Sequence, residues 1–163
     1  MSDNMQAKVL SMLENYISNA RMIALLRFEL DHSFRVSAED AISAMNFAHG
    51  DGGSASTGHI SDKTAYIMMR YQDEMKEANE ELNGKVATQL WNLEQKQERL
   101  LFYVSLLEPN QEEVIRLHYF EGKSRDAVCE QLDISSSTYD KTRKKGVDRL
   151  AEMYEMTTGL RNG

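Results

Sequence analysis

Apolar residues recur at helical rather than strand spacing along nearly the whole chain. Val9, Met12, Tyr16, Ile23 and Leu30 fall near heptad intervals, and Leu13, Ile17, Ala20 and Ala24 widen the stripe, so a first helix is expected from Met5 to about Leu30. A shorter helix is expected from Ser37 to Phe47, with Ser37 as cap and Ala41, Ile42 and Met45 on one face. His49-Gly50-Asp51-Gly52-Gly53-Ser54-Ala55-Ser56-Thr57-Gly58 then reads as a loop, because small residues of high backbone entropy resist regular structure. From about Ser61 to Leu107 the pattern is again helical. Val86, Leu93, Leu100 and Leu107 are seven apart, and Leu90 and Val104 complete an a/d seam interrupted by Gln97. Gly84 lies inside this run and costs about 1 kcal/mol relative to alanine, which marks a place for a kink. The seam needs a partner: the first helix folded back, a second chain, or both.

A different pattern begins at Pro109. Proline disfavours helix at Glu108, Asn110 is placed to cap the next helix, and Glu113 completes a capping-box spacing. Val114, Ile115, Leu117, His118 and Phe120 follow, and Gly122 closes the segment. Ser124 is expected to cap a second short helix that buries Val128, Cys129 and Leu132. After the turn Leu132-Asp133-Ile134-Ser135, Ser135 is expected to cap a last helix with Tyr139, Thr142, Gly146, Val147 and Leu150 inward. Two helices crossing steeply over so short a turn need small residues where they approach, and Cys129 and Gly146 meet that need. The expected architecture is all-α. A long helical hairpin, coiled-coil-like, spans residues 1–107 with a Gly/Ser loop at 49–60; a helix-turn-helix spans 108–156, and 157–163 form a tail.

Charge sharpens this picture. The 163 residues carry a formal charge of −7, which by itself disfavours a polyanionic partner. Residues 1–107 hold 10 Lys and Arg against 15 Asp and Glu, a balance of −5; residues 136–150 hold five basic against two acidic, a balance of +3. The cationic residues are thus concentrated on the last helix, whose outer face presents Ser136, Ser137, Asp140, Lys141 and Lys144, with Arg143 and Lys145 further round. In a helix-turn-helix the N-terminal end of that helix enters the major groove, where side chains meet base edges. A solvated charged helix end is the plainer reading of the basic run alone; the two-helix pattern around it favours double-stranded DNA as partner.

Other chemistry is sparse. One cysteine, Cys129, permits no internal disulfide or multi-thiolate metal site and is read as an inert small residue. His49, Asp51, His59 and Asp62 flank the glycine loop without the spacing of a metal site, and no glycine run precedes Asp62-Lys63-Thr64 to make a phosphate cradle. His118 is expected to pack beside Tyr119. No nucleophile–base or paired-carboxylate arrangement stands out, so neither an enzyme nor a cofactor is expected. No stretch approaches the ~20 apolar residues of a membrane span, and Met1-Ser2-Asp3-Asn4 lacks the start of a secretory signal. A cytoplasmic protein is expected.

Residues Leu107 to about Tyr154, LEPNQEEVIRLHYFEGKSRDAVCEQLDISSSTYDKTRKKGVDRLAEMY, resemble the fourth region of bacterial sigma-70-type factors, which reads the promoter −35 element. The shared pattern is a leading Leu-x-Pro, an apolar helix ending in Tyr-x-x-Gly, a Ser-initiated helix and a Leu-x-Ile-Ser turn. The whole arrangement is also similar to phage-encoded late-gene regulators of the ArpU/RinA type. The resemblance implies base contacts at Ser136, Ser137, Asp140 and Lys141 and phosphate contacts at Lys144 and Lys145. Asp133 replaces the family's turn glycine, Tyr139 a branched aliphatic residue, and Asp140 an arginine, so a target other than the consensus −35 sequence is implied. An aspartate accepts from cytosine N4 and repels phosphates. A phage-type activator follows, with RNA polymerase as a second partner and a homodimer formed through the long helices. The rival readings are a phage small terminase subunit and a protein-only, polymerase-binding adaptor.

Overall fold

The computed structural model describes the backbone of residues 2–48 and 62–161, and the side chains of 3–32, 69–70 and 72–161. The described residues are all-α. The helices are α1 (Ser2–Glu14), α2 (Tyr16–Ala48), α3 (Asp62–Ser105), α4 (Pro109–Ile115), α5 (Arg125–Leu132) and α6 (Ser136–Arg161), with a π-helical segment at Arg116–Phe120 between α4 and α5. The Gly/Ser loop expected at 49–60, and His49, Asp51 and His59 with it, lie outside the described residues, as does the side chain of Asp62.

Boundaries depart from the sequence reading in physically explicable ways. The single helix expected over 5–30 is divided at Asn15, whose Nδ2 donates to the Ser11 carbonyl at 2.8 Å while its own backbone N–H bonds the same oxygen at 3.1 Å. Such side-chain competition perturbs a helix locally. Asn19 N–H still bonds Asn15 C=O at 2.8 Å, so the axis continues into α2. No separate helix begins at Ser37; α2 runs through it to Ala48. Gly84 does not break α3, and the Thr88 hydroxyl donates to its carbonyl at 2.9 Å. The expected tail is helical as far as Arg161, with Thr157 and Thr158 hydroxyls bonded back to carbonyls of Met153 and Tyr154.

The chain divides into two compact units: Met1–Ile23 with Leu93–Gly163, and Ala24–Asn92. This differs from the boundary expected at 107/108, because α1 and the end of α3 pack in the unit that holds α4, α5 and α6. Val9 and Leu13 of α1, Leu100, Val104 and Leu107 of the α3 seam, Ile115, Tyr119, and Val147, Leu150, Ala151 and Tyr154 of α6 form one buried cluster. Full burial of an aliphatic side chain is worth roughly 1.5–3 kcal/mol, and Val9, Leu13, Val104, Ile115 and Leu150 are among those wholly removed from solvent. Within this unit the seam is therefore covered by α1 and α6. Tyr16 stacks on Phe120 with ring centroids 4.1 Å apart.

In the second unit, α3 carries ion pairs Arg70–Glu74 and Lys85–Glu81 one helical turn apart, and Phe28 stacks on His32 of α2. Leu26 and Leu90 are buried, whereas Leu25, Phe28, Met75, Leu82 and Trp91 remain exposed.

Candidate nucleic-acid interface

The site is built on a turn whose local chemistry is complete. Ser124 occupies the N-cap of α5, and its hydroxyl accepts from the Ala127 N–H at 3.2 Å. At the other end Asp133 adopts the left-handed conformation, φ 51° and ψ 50°. Aspartate is one of the few non-glycine residues that tolerate it. Ile134 N–H returns to the Cys129 carbonyl at 3.0 Å and Asp133 N–H to Glu130 at 3.4 Å, a Schellman-type closure. Ser135 then caps α6, its hydroxyl oxygen accepting from Thr138 N–H at 3.1 Å. Beneath the turn, Val114, Leu117, Val128 and Tyr139 form a second buried cluster, against which Cys129, Leu132 and Ile134 pack. Cys129 is half-buried rather than fully enclosed.

The preceding helix is capped differently from expectation. The N-cap is Glu108, with Pro109 first in the helix and no side-chain capping bond, so Asn110 lies inside the helix and its oxygen accepts only from the adjacent Gln111 N–H. Proline supplies a preset φ and has no N–H to satisfy, which favours this register. The same segment ends in a π turn: Glu121 N–H donates to Arg116 C=O and Lys123 N–H to Leu117 C=O, both at 3.0 Å. Gly122, with φ 69°, closes it, as expected. His118 Nδ1–H donates to the Lys123 carbonyl at 2.9 Å, and its ring meets Tyr119 and Tyr139 edge-on.

On this base α6 lies close to α4. A Cβ added at Gly146 would stand 2.8 Å from Ile115 Cδ1, which is the close approach inferred from its small size. Thr142 and Tyr139 face inward with it. The opposite face carries the residues expected there. Ser136, Ser137, Asp140, Lys141, Lys144 and Lys145 are all exposed. Ser137, Lys141 and Lys144 follow one another at i, i+4 and i+7 and share a face.

Two acidic groups in this segment have side-chain partners. Asp148 accepts from Gln6 Nε2 of α1 at 2.7 Å, and Asp140 is ion-paired with Arg125 from the start of α5. Among the described residues Lys141, Lys144 and Lys145 form no ion pair, so their ammonium groups are left to solvent.

Arg143 stands apart from the other candidates. It is half-buried, and its Nη1 donates to the Tyr119 hydroxyl at 3.0 Å while its Nε is buried without a partner. Burial works against the charged guanidinium. The hydrogen bond to Tyr119 and the neighbouring Tyr139 and Asp140 outweigh it, holding Arg143 above the ordinary value. Burial also pushes the Tyr139 hydroxyl up, opposed by Arg143. This arginine is engaged with the core side of α6 rather than with its outer face.

Residues that pattern reading did not single out are Arg125, Gln6 and Tyr119 in its hydrogen-bonding role. Each acts across a distance in sequence, 15 residues for Arg125–Asp140 and 142 for Gln6–Asp148, that no local periodicity encodes. Among the described residues no cluster of histidine, cysteine, aspartate and glutamate is arranged to hold a metal, and none of their helices is long and apolar enough to cross a membrane.

Residues 97–150, about a third of the chain, match the family model of sigma-70, region 4, and the helix-turn-helix built there is similar to that family's. The match begins ten residues before Leu107, on the α3 turns whose Leu100 and Val104 complete the module's core. Searches of curated proteins and of solved structures found no significant match.

Proposed function

We propose that this chain is a sequence-specific DNA-binding transcription regulator that inserts the N-terminal half of α6 into the major groove. The observation that carries the reading is the unpaired, exposed cationic face of Lys141, Lys144 and Lys145 on the second helix of a sigma-type helix-turn-helix, in an otherwise acidic chain. Ser136, Ser137 and Lys141, in the first two turns, meet base edges, and Lys144 and Lys145 meet phosphates. Arg143 serves from behind, fixing α6 on Tyr119. The family match supports an activator that works with RNA polymerase, and the helices preceding the module favour the phage-type arrangement.

Substituting Lys141→Ala or Lys144→Glu in the full chain is expected to weaken binding to duplex fragments selected from the source genome. Loss of one phosphate contact lowers the slope of log K against log salt by about 0.9. Unchanged titrations for both variants would remove α6 from the interface.

The exposed Leu82 and Trp91 of α3 support a dimer formed through the long helices. Leu82→Asp and Trp91→Asp are expected to yield a monomer of unchanged helicity by light scattering. Leu100 is unsuitable for this test, since it is core. A ring of many subunits would favour the packaging reading instead.

A further inference from the structure

We infer that Arg125 is a DNA-phosphate contact, carried to the duplex-facing surface by Asp140. The inference rests on the proposed mode of DNA binding and adds to it a residue of α5 and a different role for Asp140.

Arg125 is the first residue of α5, directly after the Ser124 cap, and its guanidinium reaches across the helix-turn-helix to the Asp140 carboxylate on α6. Both side chains are about half exposed, 49% and 50%, so the pair sits at the surface and is not a buried lock. Asp140 lies one turn beyond Ser136 and one turn before Lys144. The guanidinium is therefore held beside the face assigned to the duplex.

An isolated carboxylate at this place would repel the polyanion. A paired one does not, and it leaves the guanidinium with donors to spare: five N–H groups in a planar fork, of which a carboxylate takes at most two. A phosphate fits the remaining donors. The backbone, rather than a base edge, is the expected source, because in helix-turn-helix docking the first helix of the pair crosses the sugar-phosphate chain while the second enters the groove. Asp140, with its Oδ2 engaged by Arg125, is thereby a positioning residue and not a reader of cytosine N4.

The test is salt-dependent binding of the full chain to a panel of duplexes that differ by single base pairs. Arg125→Gln is expected to weaken every duplex by a similar factor, about 5- to 10-fold at 0.1 M salt, and to lower the salt slope by about 0.9. Arg125→Lys, which retains the charge, is expected to keep that slope. Asp140→Asn is expected to leave discrimination between single base-pair variants unchanged. Thermal midpoints of all three should stay near that of the unsubstituted chain, since an exposed ion pair contributes little to stability. An unaltered slope in Arg125→Gln, with the unsubstituted chain binding normally, overturns the inference alone. Relaxed preference at one base pair in Asp140→Asn returns the aspartate to base reading and overturns its positioning role. Absence of any duplex binding by the unsubstituted chain at low salt overturns the proposed function, and this inference with it.

Discussion

Tyr154 and Arg143 show how single side chains in α6 carry opposite obligations. The Tyr154 hydroxyl is buried without a hydrogen-bond partner. Burial, with Tyr103 adding to it and Arg99 opposing, pushes its pKa from 10.0 up to about 12. An unfolded chain releases that proton near 10.0, so Tyr154's contribution is intact below that pH and is lost as pH rises toward 12. Tyr154→Phe is expected to show a smaller fall in thermal midpoint between pH 9 and pH 11.5 than the unsubstituted chain, and no loss at pH 7, because the orphaned hydroxyl goes with it. Parallel declines would contradict this account. Tyr119 is the reverse case, since its hydroxyl is the acceptor for the half-buried guanidinium of Arg143. Removing the acceptor leaves a charge further under-satisfied, and Tyr119→Phe is expected to cost about 1–2 kcal/mol, read as a lower urea midpoint at unchanged m-value.

The helix ends obey capping chemistry, but sequence spacing identified only some of them. Ser124 and Ser135 are caps in fact, each with its hydroxyl on the N–H three residues ahead. Asn110 has the same residue-type credentials and the right glutamate after it, yet Pro109 moves the start of α4 back to Glu108. Ser135→Ala is accordingly expected to destabilise the module by about 1 kcal/mol, while Asn110→Ala changes little. Equal losses in chemical denaturation would mean that Asn110 caps after all. The π segment at Arg116–Phe120 was likewise hidden, because an apolar run has the same residue types whether its turn closes at four or five residues. Gly122 did signal the closure, since a positive φ is a demand that residue type reveals.

At the scale of the molecule, the helix-turn-helix is not a detachable C-terminal third. Its core includes Val9 and Leu13 from the other end of the chain and Leu100, Val104 and Leu107 from the end of α3. A fragment of residues 108–163 is expected to lack cooperative unfolding by circular dichroism, and adding residues 93–107 alone leaves the α1 side of the core uncovered. A sharp melting transition in the shorter fragment would sink this expectation. What the sequence alone determined here is whatever is encoded locally. Helical periodicity, the two serine caps, the glycine at 122, the small residue at 146 and the basic face of α6 each depend on neighbours a few positions away. What only the tertiary structure decided are the pairings between distant segments: α1 against α6, Gln6 on Asp148, Tyr119 on Arg143 and Arg125 on Asp140. The physical reason is that an apolar stripe specifies that a face must be buried, through a non-directional force proportional to area, and leaves open which other stripe will cover it.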